Sequence, residues 1–82
     1  PARSKGRPRK LSYKEGRELD KLPDRIDELE TQIRTLQDTL ASPETYANGA
    51  DVAALQIQLH EAEGELVEAL ARWEQLEEVR SA

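Results

Sequence analysis

Catalytic and metal centres are mostly assembled from histidine, cysteine and paired carboxylates, and these 82 residues offer few such arrangements. His60 is the only histidine and cysteine is absent, so neither a thiolate metal site nor a thiol–imidazole pair can be built. The many Asp and Glu residues fall between apolar positions at helical spacing, where a carboxylate is ordinarily solvated rather than poised for acid–base work. No G-x-x-x-x-G-K-[ST] phosphate loop is present. The sequence therefore predicts no catalytic residue, no metal, no cofactor and no small-molecule ligand for this segment.

The side chains that could do chemistry are cationic. Lys5-Gly6-Arg7-Pro8-Arg9-Lys10 is an extended basic string, and Lys14 and Arg17 continue it into the first predicted helix. The Gly-Arg-Pro centre resembles an AT-hook, in which Arg-Pro lies in a narrow A·T minor groove. The match is short, and the favoured reading is a non-selective arm that contacts phosphates. The bland alternative is a solvated linker. The charge distribution sharpens the contrast. Residues 1–17 carry seven basic side chains against Glu15 alone, a balance of +6. Residues 18–82 carry five basic and sixteen acidic groups, a balance of −11, within a net charge of −5. Glu61, Glu63, Glu65, Glu68, Glu74, Glu77 and Glu78 crowd the second half and should repel phosphates. The candidate nucleic-acid-binding residues are thus Lys5, Arg7, Arg9, Lys10, Lys14 and Arg17.

The elements that must position these cations are helical. Residues 1–11 hold two prolines, a glycine and one large apolar residue, too little to offset ordering entropy, so a disordered arm is expected there. Ser12-Tyr13-Lys14-Glu15 is a capping box that opens the ordered domain, 12–82. A short helix is predicted over about 13–21, weakened by Gly16 by about 1 kcal/mol and ended or kinked at Pro23. Leu19, Leu22, Ile26, Leu29, Ile33, Leu36 and Leu40 then alternate at spacings of three and four, an unbroken heptad stripe narrow enough to want one partner helix. Residues 41–51 interrupt it: Ser42-Pro43-Glu44 can cap one turn, Asn48-Gly49 can reverse the chain, and Asp51 can cap the next helix. Tyr46 is expected to pack over that end.

Val52, Leu55, Leu59, Ala62, Leu66, Ala69, Trp73 and Leu76 form the second stripe, and Val79 adds a last contact. The predicted fold is all-α: an antiparallel, intramolecular two-helix coiled-coil hairpin with helices about 23–41 and 51–79, the short kinked helix before them and the basic arm in front. At 1.5 Å per residue the shaft should be roughly 30–40 Å long. Antiparallel register sets Leu40 beside Val52 and Leu55, Ile33 beside Leu59 and Ala62, and Ile26 beside Leu66. Trp73 then meets Leu19 and Leu22 near Pro23, where Tyr13 is expected to close the same end. Glu30–Arg34 and Glu68–Arg72 are favourable i,i+4 pairs. A coil between two chains is the alternative; closure within one chain is favoured because the connecting loop makes it entropically cheap, and a monomer is expected. The longest apolar run, Val52-Ala53-Ala54-Leu55, is far short of the about 20 residues of a membrane span, so no membrane contact is expected, and no signal peptide is visible. Opening on Pro1 rather than Met predicts a piece of a longer protein.

Lys10-Leu11-Ser12-Tyr13-Lys14-Glu15, Arg17-Glu18-Leu19, Leu22-Pro23 and the later Ala71-Arg72-Trp73-Glu74-Gln75-Leu76-Glu77 together resemble the C-terminal coiled-coil domain of Uup-type ABC-F proteins, tandem ATP-binding-cassette ATPases without membrane domains. The resemblance covers about residues 10–79. It implies a cytoplasmic parent ATPase whose upstream domains bind ATP and Mg, with this segment as a non-catalytic DNA-binding appendage; the wider family acts on ribosomes. By position it implies phosphate contact at Lys10, Lys14 and Arg17 and structural roles for Ser12, Tyr13, Leu22, Pro23 and Trp73. DNA or structured RNA is the expected partner. The competing readings are a protein-interaction or spacer module that docks the parent on the ribosome or another protein, and plain oligomerisation.

Overall fold

The computed structural model describes residues 10–81. The expectations for residues 1–9, including a disordered arm and phosphate contacts at Lys5, Arg7 and Arg9, lie outside the described residues. Three helices follow one another: α1 (Tyr13–Ala41), α2 (Pro43–Ala47) and α3 (Val52–Ser81). The two long helices lie against each other as an antiparallel hairpin, with α2 across the turn, giving a rod of 62 × 21 × 16 Å.

The heptad stripes form the seam. Leu19, Leu29 and Leu36 of α1 and Ala62, Ala69 and Leu76 of α3 are buried. Leu22, Ile26, Ile33, Leu40, Val52, Leu55, Leu59, Leu66 and Trp73 are half-buried, as a two-helix seam open along both flanks requires. Leu29, Ala62 and Ala69 make the central cluster, with Leu22, Ile26, Ile33 and Leu66 packed round it. Alanines facing leucines let the helices approach closely at mid-shaft. The register follows from two ion pairs across the seam, Glu18 with Arg72 and Arg25 with Glu65. It agrees with the expected pairing of Ile26 with Leu66 and brings Trp73 level with Leu19.

Several expectations need correction. The short helix does not end near Pro23: α1 runs unbroken for 29 residues with Pro23 inside it. The proline still removes a donor, at a cost of about 3 kcal/mol in a helix interior. Leu19 and Leu29, on either side, are both buried in the same seam, and a break between them would shift the heptad phase and expose one set. Pro23 itself is exposed and lies off the seam. α1 is consequently longer than expected, 29 residues or about 44 Å at the helical rise, while α3, with 30 residues, lies close to the expected 51–79.

Arg72 does not pair with Glu68 along α3. Its Nε and Nη2 donate to the two carboxylate oxygens of Glu18 at 2.7 and 2.9 Å, a fork that the flexible i,i+4 pair cannot match. Glu30 and Arg34 form no ion pair among the described residues.

The hairpin end is closed by hydrogen bonds. Thr39 carbonyl oxygen accepts from Ser42 N–H and from the hydroxyl of Thr45, the one buried polar residue among those described, and Leu40 carbonyl accepts from the Tyr46 hydroxyl at 2.6 Å. Tyr46 thus braces the turn while 55% of it stays exposed. The Ser42 side chain, expected as a cap, makes no capping bond to α2. Gly49, at φ 72°, ends α2: Gly49 N–H donates to Tyr46 carbonyl and Ala50 N–H to Thr45 carbonyl, the paired bonds of a Schellman motif. Asp51 then caps α3 by accepting from Ala54 N–H at 3.0 Å.

Candidate nucleic-acid interface

The foot of the hairpin, where α1 starts, is organised by the capping box. Ser12 hydroxyl accepts from Glu15 N–H and Glu15 carboxylate accepts from Ser12 N–H, both at 3.0 Å. The cap fixes the phase of the first turns. From there Leu19, Leu22 and Ile26 turn towards α3, and Lys14, Arg17 and Lys21, spaced three and four apart, share the opposite, outer face. Lys10, just before the cap, is exposed as well. The strip ends quickly, because the next positions on the same face are Asp24 and Glu28.

Three of the other cations are held by carboxylates, and Arg34, farther up α1, is the exception among the described residues. Arg25, Arg72 and Arg80 are tied to Glu65 and Glu28, to Glu18, and to Glu77. Among the described residues Lys10, Lys14 and Lys21 form no ion pair, and Arg17 contacts only Tyr13. A phosphate approaching the outer foot therefore meets cations that need not first be released from carboxylates. Glu18 borders the strip, but the Arg72 fork already neutralises it: the hydrogen bond from Arg72 holds its carboxyl below the ordinary carboxylate range.

Of the six residues singled out from the sequence, the structure brings Lys14 and Arg17 to one face of α1, and Lys10 is exposed just before the cap. Lys21, which the sequence reading passed over, joins them, and Tyr13 stands beside them without adding a charge. Lys21 was legible from the spacing 14, 17, 21. Tyr13 was expected to seal the hairpin foot, and the structure overturns this: it is 81% exposed. As the first residue after the cap it stands on the outer face, four residues before Arg17, whose guanidinium lies 5.9 Å from the ring centre and donates to the phenol oxygen at 3.3 Å. The foot is covered instead by Leu11 and Val79, both half-buried.

His60 is exposed on α3, and no group of His, Asp and Glu able to hold a metal ion occurs among the described residues. No helix among them is long and apolar enough to cross a membrane.

This geometry defines a class: a slender two-helix coiled-coil appendage, acidic along its shaft and cationic on the outer side of its foot. Residues 10–78 match the family profile of the ABC transporter C-terminal domain, and the chain belongs to that family, as a C-terminal domain of the Uup type of ABC-F protein. It is 44% identical over 79 residues to the ATP-binding protein Uup-like of Haemophilus influenzae and 43% identical to the ATP-binding protein Uup of the same organism, with 95% of this chain covered in each. It is 36% identical over 80 residues to the ATP-binding protein Uup of Escherichia coli, with 88% of this chain covered. The chain spans only 17%, 12% and 12% of the length of those relatives. No solved structure matches it.

Proposed function

We propose that this chain is a non-catalytic nucleic-acid-binding appendage, with DNA as its lead partner and structured RNA as the close alternative, within a cytoplasmic ATP-binding protein of the ABC-F type. The observation that carries the reading is the cationic strip Lys10, Lys14, Arg17 and Lys21 on the outer foot, free of carboxylate partners among the described residues and continuous with the basic string Lys5 to Lys10. Its mechanism is electrostatic: each cation placed against a phosphate releases a condensed counterion, and the acidic faces of α3 turn the rest of the shaft away from the nucleic acid. The relatives are named as ATP-binding proteins, so ATP, Mg and any hydrolysis are assigned to upstream nucleotide-binding domains of the parent.

The test is a titration of duplex DNA at several salt concentrations with the wild type and with Lys10, Lys14 and Arg17 replaced together by Ala. The expected result is weaker binding and a salt dependence shallower by roughly 2.7, at about 0.9 for each phosphate no longer neutralised. An unchanged affinity and slope would remove these residues from the interface.

The acidic second helix favours a second reading, in which the shaft docks on a basic protein surface such as one on the ribosome. In that case the chain would fail to retard DNA at low salt and would instead bind such a partner with a dependence on Glu61, Glu65 and Glu68.

A further inference from the structure

An exposed aromatic ring among cations has no structural reason to stay where it is. Tyr13 is 81% exposed, so it contributes almost nothing to the seam. A helix of this type would be served as well at that position by any good helix former. The ring is nevertheless held in place. The capping box fixes the backbone on either side, and Arg17 both packs against the ring at 5.9 Å and donates to its hydroxyl. Lys14, Arg17, Glu18 and Lys21 line one side of it, with Glu18 committed to Arg72, and Leu11, Asp20 and Arg80 line the other. A flat, preorganised π-surface flanked by cations is the arrangement that receives a nucleobase while its phosphates are neutralised alongside.

We infer that Tyr13, steadied by Arg17, is a stacking platform for an unpaired nucleobase, so that the foot of this hairpin engages single-stranded or locally opened nucleic acid in a way it does not engage a continuous duplex. The inference rests on the nucleic-acid reading proposed above and adds to it the face of an unstacked base as the ligand. Base pairs inside a duplex bury both faces against their neighbours, so they cannot use the ring; only phosphate contacts remain to them. Stacking is indifferent to base identity, and the platform therefore confers a preference for unpairedness rather than for sequence.

The experiment compares wild type, Tyr13→Leu and Tyr13→Phe against two probes: a single-stranded DNA oligonucleotide and a relaxed circular duplex, which has no exposed terminal base pair. The expected result is that Tyr13→Leu lowers single-strand affinity by about 5- to 150-fold and leaves affinity for the circle unchanged, while Tyr13→Phe retains both. Equal loss on both probes, no loss on either, or a Phe variant as weak as the Leu variant would overturn it. If single-strand binding depends on Lys10, Lys14 and Arg17 and not on Tyr13, the platform alone is lost. If the wild type binds neither probe at low salt, the nucleic-acid reading falls and takes the platform with it.

Discussion

Single side chains in this hairpin fall into two sets with opposite constraints. Arg72 and Glu18 form a doubly hydrogen-bonded pair that spans the seam beside Leu19 and Trp73, and so it fixes register as much as it stabilises. Because Arg72 depresses the folded-state pKa of Glu18, the pair's contribution is fully present above the pH at which an unfolded glutamate titrates and is lost as pH falls through the folded value. Thermal melts of the wild type and Glu18→Gln should therefore differ most near neutrality and converge below the carboxylate range; a difference that is constant with pH would contradict the assignment. Gly16 illustrates the opposite case. A Cβ there meets nothing within 4 Å and its backbone is that of an ordinary helix, so the position gains nothing from glycine's freedom. Gly16→Ala should stabilise by about 1 kcal/mol, seen as a rise in Tm of about 4–8 °C.

The helices were largely legible in the sequence, because a narrow seam is written there as a three–four alternation and little else competes with it. Every apolar position assigned to the stripes, from Leu19 to Leu76, is buried or half-buried, and the capping roles of Ser12 and Asp51 and the reversal at Gly49 follow from local chemistry alone. What local chemistry misread was Pro23. Its intrinsic cost is a property of one residue, whereas continuity of the seam is a property of the whole pair of helices, and the second outweighed the first. The same heptad phase that carried the prediction of the stripe runs through 19, 22 and 26 without a break and would have forecast the continuous helix. Tyr13 was misread although the helix start at the cap was legible: counted back from Leu19, the stripe falls at 15 and 12, which leaves 13 off the seam. Side-chain pairing of arginines was least legible, since Arg72 had a glutamate within reach on its own helix and a better-placed one on the other. At the centre of the seam Leu29 is 1% exposed and faces Ala62 at 2%. Leu29→Ala should accordingly cost about 2–5 kcal/mol in denaturant unfolding, while a loss below about 1 kcal/mol would mean the helices do not close there.

The molecule as a whole is a rod with its charge sorted by helix: acidic along α3 down to Glu74, Glu77 and Glu78 at the foot, cationic on the outer side of the first turns of α1. Both stripes are satisfied within one chain, leaving Ile57, Val67 and Leu70 as the large aliphatic side chains exposed among the described residues, and sedimentation equilibrium should return the mass of one chain across the accessible concentration range. A dimer would mean that the seams pair between molecules and that the foot is shared by two chains. The sorting of charge also limits where a polyanion can sit. The first turns of α1 face outwards with lysines that no carboxylate holds among the described residues, while α3 presents glutamates along most of its outer surface. The most direct test is to follow backbone amide resonances as duplex DNA is added at low salt. Shifts concentrated in residues 10–21, with the glutamate-rich positions 61–78 unmoved, are the predicted result; shifts centred on α3 or on the turn at residues 42–51, with the foot silent, would contradict it.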